Sequence, residues 1–362
     1  MDALRKCSNV RTIVVATGQH AHMVAPVARV LGMEIDHDLG IMSHGQSLNQ
    51  IVTRAMDGVD ALIQEYGPDT VVVQGDTSTA MAAALAAFNR KVQIAHVEAG
   101  LRTGDRTSPW PEEANRVLIG RLADIHFTPT QLASSNLINE GVAERDIHMV
   151  GNTVVDAARM AAAYADALPY ADHDEDRQTI LVTSHRRESI GKPMEDAFTG
   201  IAAVAAARAV RIVFPVHPNP LVREIANRVM GGVANIEMIE PLDYDELVVA
   251  LRRCRFVVTD SGGIVEEAAA FGKPALVLRE STERTESIDS GGAELVGTDA
   301  ALIEARMLAL IDDDALHMRM AQAPNPFGDG QSSRRIADIL SGRNRRPTQN
   351  PGSETAPQMA EA

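Results

Sequence analysis

The chain has 362 residues, 45% of them hydrophobic but only 3% aromatic, enough for two cores resting on Val, Ile, Leu and Ala. Its formal net charge of −15 argues against a nucleic-acid or anionic-membrane partner, yet leaves room for an anionic small molecule held by a few local arginines. Two distant cysteines, Cys7 and Cys254, offer neither a metal-ligand spacing nor a disulfide framework. With no signal peptide and no run near the ~18 apolar residues of a membrane span, the expectation is a soluble, cytoplasmic enzyme.

Short apolar runs alternate with helical patterns along the chain. Strands are predicted over 11–17, 70–74, 92–96, 125–128 and 147–150, with helices over 23–31, 47–66, 78–88, 112–122 and 131–140. This alternation predicts βαβ units and a parallel sheet. It breaks over 164–178, where Pro169 and the polar run Ala171-Asp172-His173-Asp174-Glu175-Asp176 read as a linker. A second series follows, with strands over 179–183, 211–215, 235–239, 256–259 and 275–278 and helices over 194–208, 221–230, 243–253 and 264–271. The fold class is therefore α/β, two Rossmann-like domains with a cleft between them, the first over 1–165 and the second over 178–341. Residues 342–362, rich in Pro, Ser, Gln, Asn and Arg, read as a disordered tail.

Motifs with chemistry sit where strands hand over to helices, and ligands of open α/β sheets bind beyond the carboxyl ends of strands. Gln74-Gly75-Asp76-Thr77 places Asp76 at such an end, either as a cleft carboxylate or as a contributor to a helix cap. In His96-Val97-Glu98-Ala99-Gly100, Glu98 closes an apolar strand, and a buried charge is costly unless paired. Arg102 or Arg116 could be its structural partner. Glu112 and Arg116 lie four apart in a helix that begins after Pro111, on one face, either aimed into the cleft or serving the helix. His185-Arg186-Arg187-Glu188 ends one strand, and His217 ends another, boxed in by Pro215, Pro218 and Pro220. Asp260-Ser261-Gly262-Gly263 can expose backbone N–H groups at a helix start, a ready phosphate site, with Glu267 one turn in and able to grip ribose hydroxyls. A plain capped turn is the alternative. Arg284 is a second phosphate-ligand candidate or a member of a solvated charge run.

These residues, in this order, resemble the non-hydrolysing UDP-N-acetylglucosamine 2-epimerases. The likeness runs from about Thr12 to Leu340 and includes Thr17-Gly18-Gln19-His20, Gly75-Asp76-Thr77, the 96–104 segment, Pro111-Glu112-Glu113, Gly151-Asn152-Thr153, His185-Arg186-Arg187-Glu188, Val216-His217-Pro218-Asn219-Pro220, Asp260-Ser261-Gly262-Gly263 and the 325–330 segment. The resemblance implies a glycosyltransferase-B-like fold, a homodimer, no cofactor, and interconversion of UDP-GlcNAc and UDP-ManNAc through a 2-acetamidoglucal intermediate, for cell-surface polysaccharide. By motif it implies Asp76, Glu98 and Glu112 as catalytic carboxylates and His217 as a further acid or base. It implies Arg116, Ser261, Gly262, Gly263, Glu267 and Arg284 as nucleotide-binding residues, and Gln19 and His20 as members of a possible regulatory site. A glycosyltransferase of the same fold, a hydrolysing epimerase and an inactive UDP-sugar binder are the competing readings.

The chain departs from that family at its start. Members open with a strand, a Gly-Thr-Arg-Pro-Glu turn and a helix before the strand that here spans 11–17, and only ten residues stand in that place. A unit of roughly 20–25 residues is expected to be missing. Its strand would be central, so the edges of two neighbouring strands are expected to be open, and either the sequence begins downstream of the true start or the gene has decayed. Thr285 follows Arg284 where the family usually has proline, and Glu237 replaces a histidine of the regulatory site.

Overall fold

The structure, a computed structural model, describes residues 1–18, 21–43, 45–168, 178–186 and 189–342. Gln19, His20, Arg187, Glu188, the polar run of the expected linker and the expected tail beyond 342 lie outside the described residues.

The N-terminal half of the chain runs α1 (Asp2–Arg5), β1 (Val15–Ala16), α2 (Ala21–Val30), β2 (His37–Asp38), α3 (Leu48–Tyr66), β3 (Thr70–Gln74), α4 (Ser78–Asn89), β4 (Gln93–Val97), α5 (Glu112–Leu122), β5 (Ile125–Thr128), α6 (Gln131–Asn139), β6 (Ile147–Met149) and α7 (Thr153–Asp166). The C-terminal half runs β7 (Thr179–Thr183), α8 (Lys192–Ala207), β8 (Arg211–Pro215), α9 (Pro220–Met230), β9 (Ile236–Ile239), α10 (Tyr244–Arg253), β10 (Phe256–Thr259) and α11 (Gly262–Ala270). It ends with β11 (Ala275–Val277), α12 (Thr285–Asp289), β12 (Ala293–Leu295), α13 (Ala300–Asp312), α14 (Asp314–Ala321) and α15 (Ser332–Leu340).

Local chemistry explains individual elements. Helix α3 starts at a capping box in which Ser47 Oγ accepts from Gln50 N and the Gln50 side chain accepts from Ser47 N. It buries Ile51, Ala55, Val59 and Ile63, four apart and hence on one face, and stops at Gly67, whose φ of 54° suits glycine.

The C-terminal half holds a single parallel sheet of order β12-β11-β10-β7-β8-β9. Its central strands β7 and β10 are buried on both faces: Ile180, Val182, Phe256 and Val258 enter a core with α8, α9 and α13, while Leu181 and Val257 pack with residues of α10 and α11. In the N-terminal half the strands fall into two pieces, β1-β2 and β3-β4-β5-β6, all parallel. Helix α3 serves both pieces, packing Ile51 and Ala55 with Ile41, and Val59 and Ile63 with Val73 and Ile94. Among the described residues β1 pairs only with β2 and β3 only with β4, the open edges that the sequence led us to expect. On β3, Val72 is 43% exposed.

Three expectations change. The strand expected over 11–17 shrinks to Val15–Ala16, because its only described neighbour offers two residues for pairing. The expected linker begins late, since α7 continues through Asp166. The last helix does not stay with the second domain: Ile336 of α15 shares a cluster with Ala95, Val97, Phe127 and Val150. The chain thus crosses back, and the stretch 178–341 gives up its final helix to the first core. In the other direction α7 packs on α10 and α11. No helix among the described residues is long and apolar enough to cross a membrane.

Candidate active site

Two strand ends of the first domain carry carboxylates. Strand β3 runs into a turn at Gly75, whose φ is 70°. Thr77, not Asp76, caps α4, its hydroxyl accepting from Ala80 N at 3.2 Å. Asp76 is therefore free to accept a hydrogen bond from Arg116 Nη2 at 2.5 Å. The buried Arg116 also donates to Glu113 at 3.0 Å, so this guanidinium is shared by two carboxylates of its own domain. Asn115 Nδ2 donates to the Asp76 carbonyl at 2.9 Å and fixes the turn against α5.

Glu98 follows β4 with a φ of 65°, strained for a side chain with a Cβ. Its carboxylate passes over the neighbouring turn, where a Cβ on Gly75 would stand 3.9 Å from Oε2. Neither expected partner holds it, because Arg102 is taken by Glu140 and Arg116 by Asp76 and Glu113. Its nearest cation among the described residues is Arg284 of the second domain, 3.7 Å away. Burial first, then the negative charge of Glu266, push its carboxyl up to about 7, against the opposing pull of Arg284. Glu112 opens α5 half-buried and makes no hydrogen bond or ion pair among the described residues.

The second domain brings the start of α11 to this place. Ser261 precedes α11 without a side-chain cap bond, leaving its hydroxyl and the first N–H groups of the helix available. At Gly262 a Cβ would come within 2.8 Å of Arg284 Cζ, so any larger residue there would displace the guanidinium. Gly263 faces open space, with only Ser261 Oγ within 4.0 Å of a built Cβ. Arg284 donates from Nε to Glu266 at 2.7 Å and is paired with Glu283. One turn along α11, Glu267 is buried and accepts from the Tyr244 hydroxyl. Burial pushes its carboxyl up to about 7.

Beside α11 stands a pair that the motifs contained but that sequence reasoning did not assign. Asp260, fully buried, accepts from Ser184 Oγ at 2.9 Å, His185 N at 2.8 Å and Arg186 N at 3.0 Å. Its other oxygen lies 3.0 Å from His185 Nδ1. Burial pushes the Asp260 carboxyl up, but the bonds from His185 and Arg186 outweigh it and the net shift is downward. With Nδ1 facing a carboxylate, the neutral His185 ring carries its proton there and leaves Nε2 to accept. His217 stacks on His185, ring centroids 6.0 Å apart. Its Nδ1 accepts from Asn219 N at 3.2 Å, so in the neutral ring Nε2 carries the proton. Burial, then the neighbouring His185, lower its basicity. The available signal for His185 was its place at the end of β7, next to the strand that ends in Asp260.

The structure thus brings Glu98, Arg284 and the start of α11 together, and places Asp76 beside Glu98 through the Gly75 turn. It holds Arg116 with Asp76 and Glu113, and sets His217 beside His185. Gln19 and His20 fall outside the described residues.

Known proteins match this chain along most of its length. A family model described as UDP-N-acetylglucosamine 2-epimerase matches residues 2–341. A Salmonella typhimurium UDP-N-acetylglucosamine 2-epimerase is 43% identical over 350 residues, 93% of each chain. The crystal structure of UDP-GlcNAc 2-epimerase from Neisseria meningitidis bound to UDP-GlcNAc superposes with a TM-score of 0.88 at 36% identity, covering 93% of both chains. The Methanocaldococcus jannaschii enzyme, in complex with UDP-GlcNAc and UDP, gives 0.72 at 29% identity over 91% of this chain and 99% of that one.

Proposed function

The chain belongs to the UDP-N-acetylglucosamine 2-epimerase family and is an isomerase of the epimerase type, and on that premise we propose that it interconverts UDP-GlcNAc and UDP-ManNAc without hydrolysis. The observation that carries this reading is the meeting of Glu98 and Arg284, from two domains, 3.7 Å apart beside the start of α11.

The chemistry needs those groups. C2 of the sugar has no adjacent carbonyl, so its C–H bond is not acidic by itself. As the C1–O bond to the diphosphate breaks, positive charge grows at C1 and acidifies C2–H. A carboxylate takes the proton, the C–H electron pair becomes the C1–C2 double bond, and UDP leaves with the C1–O electrons. The products are 2-acetamidoglucal and UDP, both retained. Re-addition of UDP at C1 and of a proton to the other face of C2 gives the epimer. No water, oxidant or reductant is consumed.

Glu98, titrating at about 7, is suited to take or give a proton near neutrality, which is worth ~10²–10⁴-fold. Asp76 and Glu112 complete the carboxylate set, with Arg116 holding Asp76 in place. Ser261, Gly262, Gly263 and Arg284 take the departing diphosphate, where donors aimed at developing charge act most strongly, and Glu267 takes the ribose. His217, which can donate from Nε2, and His185, which can accept there, exchange protons with the leaving group. We also place the enzyme in the cytoplasm, as a homodimer feeding cell-surface polysaccharide. The unpaired, buried Cys7 and Cys254 suit that compartment.

Proton NMR of the purified chain with UDP-GlcNAc in D₂O tests the reading. We expect UDP-ManNAc carrying deuterium at C2. Free ManNAc with UDP would replace it by the hydrolysing reaction. Binding of UDP-GlcNAc without turnover would replace it by a nucleotide-sugar binder.

A further inference from the structure

We propose that Glu266 is a positioning residue: its buried carboxylate, held by Asn152 across the domain boundary, fixes the Arg284 guanidinium between Glu98 and the start of α11, and so ties the packing of the two domains to the placement of the cation on the diphosphate. The inference rests on the epimerase reading of the site.

The geometry begins on α11. Gly262 and Glu266 are four apart and share a helix face. The Arg284 guanidinium lies along that face, crossing Gly262 at the distance that would bring a Cβ within 2.8 Å of Cζ. Glu266 Oε1 accepts from Arg284 Nε at 2.7 Å, which fixes the plane of the fork and leaves Nη2 directed at Glu98, 3.7 Å away. Glu266 Oε2 accepts from Asn152 Nδ2 at 2.5 Å. Both oxygens of this carboxylate are thus committed, one to the cation and one to the first domain.

Asn152 is an anchor of unusual reach. It caps α7, its Oδ1 accepting from Val154 N at 3.2 Å, and its own N–H donates to the Phe327 carbonyl at 2.7 Å. It therefore joins three pieces: the end of β6 in the first domain, the segment that leads back into α15, and α11 of the second domain. A shift of one domain against the other moves Asn152 relative to α11, and Glu266 passes that shift to Arg284.

A carboxylate with side-chain exposure of only 2% is costly to bury without partners, so the chain holds it for some return. Packing alone does not explain an acid here, because an apolar residue would fill the space without that cost. A stage for Arg284 does explain it. Glu283 cannot do the same, since among the described residues its ion pairs go to Arg279, Arg284 and Arg186, all of the second domain.

The test is Glu266→Gln, which keeps the shape and loses the charge. We expect kcat to fall about tenfold to hundredfold, the scale of a small misplacement of a catalytic group, with the melting temperature preserved and UDP binding weakened. A second readout separates positioning from structure. The ionisation of Glu98 answers to Glu266 and Asp76, which raise it, and to Arg284 and Arg116, which lower it. Removing the Glu266 charge should therefore shift the acidic limb of kcat/KM to lower pH, whereas Asn152→Ser, with the charge intact, should lower kcat without that shift. Wild-type kcat and a wild-type pH profile in a folded Glu266→Gln protein would overturn the proposal. If Glu266→Gln does not fold, Asn152→Ser decides, and unchanged kcat there overturns it. If the wild-type chain does not epimerise UDP-GlcNAc, the functional reading fails, and UDP affinity of Glu266→Gln against wild type still decides the placement of Arg284.

Discussion

The two sheets of this molecule are built from the same local material and end differently. In the second domain six strands pair continuously, and β10 is buried at every residue. In the first domain the strands stand in two pieces, and β3, the strand that delivers Asp76, pairs on one edge only among the described residues. Val72 on β3 is 43% exposed, whereas Val182 and Val258 at comparable places of the other sheet are fully covered. The difference teaches that apolar Val-rich runs announce strands but not neighbours. It also matches the division of labour we propose: the continuous sheet supports the start of α11, where the diphosphate would bind, and the divided one supports the carboxylates.

That division can be broken by experiment, and the largest effect should come from the chemistry. Glu98→Gln is expected to lower kcat by ~10²–10⁴-fold, the worth of a general base, while calorimetry with UDP gives an affinity within a few-fold of wild type. An equal loss of UDP binding would mean that the first domain also holds the nucleotide.

Stability should differ as the burial does. Ile180→Ala, in β7 and fully buried, is expected to cost about 2–5 kcal/mol in urea unfolding. Val72→Thr, on the open β3 edge, should stay within about 0.5 kcal/mol. Comparable losses would show that the β3 edge is covered in solution.

The next effect is a pH dependence located in the second domain. Burial raises the Glu267 carboxyl from 4.5 to about 7 in the folded chain. Its contribution to stability is therefore full below about 4.5 and is lost as pH rises through about 7, because the folded state resists losing the proton. Glu267→Gln removes that loss. The mutant should gain on wild type between pH 5 and pH 8 by an amount on the order of 3 kcal/mol, read from melts at each pH. A constant difference would place the Glu267 ionisation elsewhere.

The smallest effect sharpens the proposed anion site. Gly262→Ala drives a Cβ to 2.8 Å from Arg284 Cζ, so the guanidinium must move. UDP affinity should fall about tenfold, roughly one charge-assisted hydrogen bond. Gly263→Ala, which meets no atom closer than 4.0 Å in the free protein, separates crowding by Arg284 from crowding of the ligand itself.

Much of this was legible because it is local. Apolar runs bounded by turn residues gave β3, β5, β7, β8 and β10 with the bounds that the structure has. Strands β2 and β12, two and three residues long, are too short to announce a period of their own and exist through their partners. The Gly75-Asp76, Val97-Glu98 and Ser261-Gly262-Gly263 junctions were readable because a strand that ends in a turn exposes whatever follows at its carboxyl end.

The amino-acid order alone therefore determined the two α/β halves and which side chains arrive at the strand ends. Only the tertiary structure decided which charges meet. Arg116 turned to Asp76 and Glu113 and left Glu98 to Arg284, His185 turned to Asp260, Glu266 found Asn152, and α15 returned to the first core. The reason is physical. Turn and strand preferences act between neighbours in sequence, whereas ion pairs and core contacts depend on distances of a few ångströms between segments far apart along the chain, which exist only once both domains have packed.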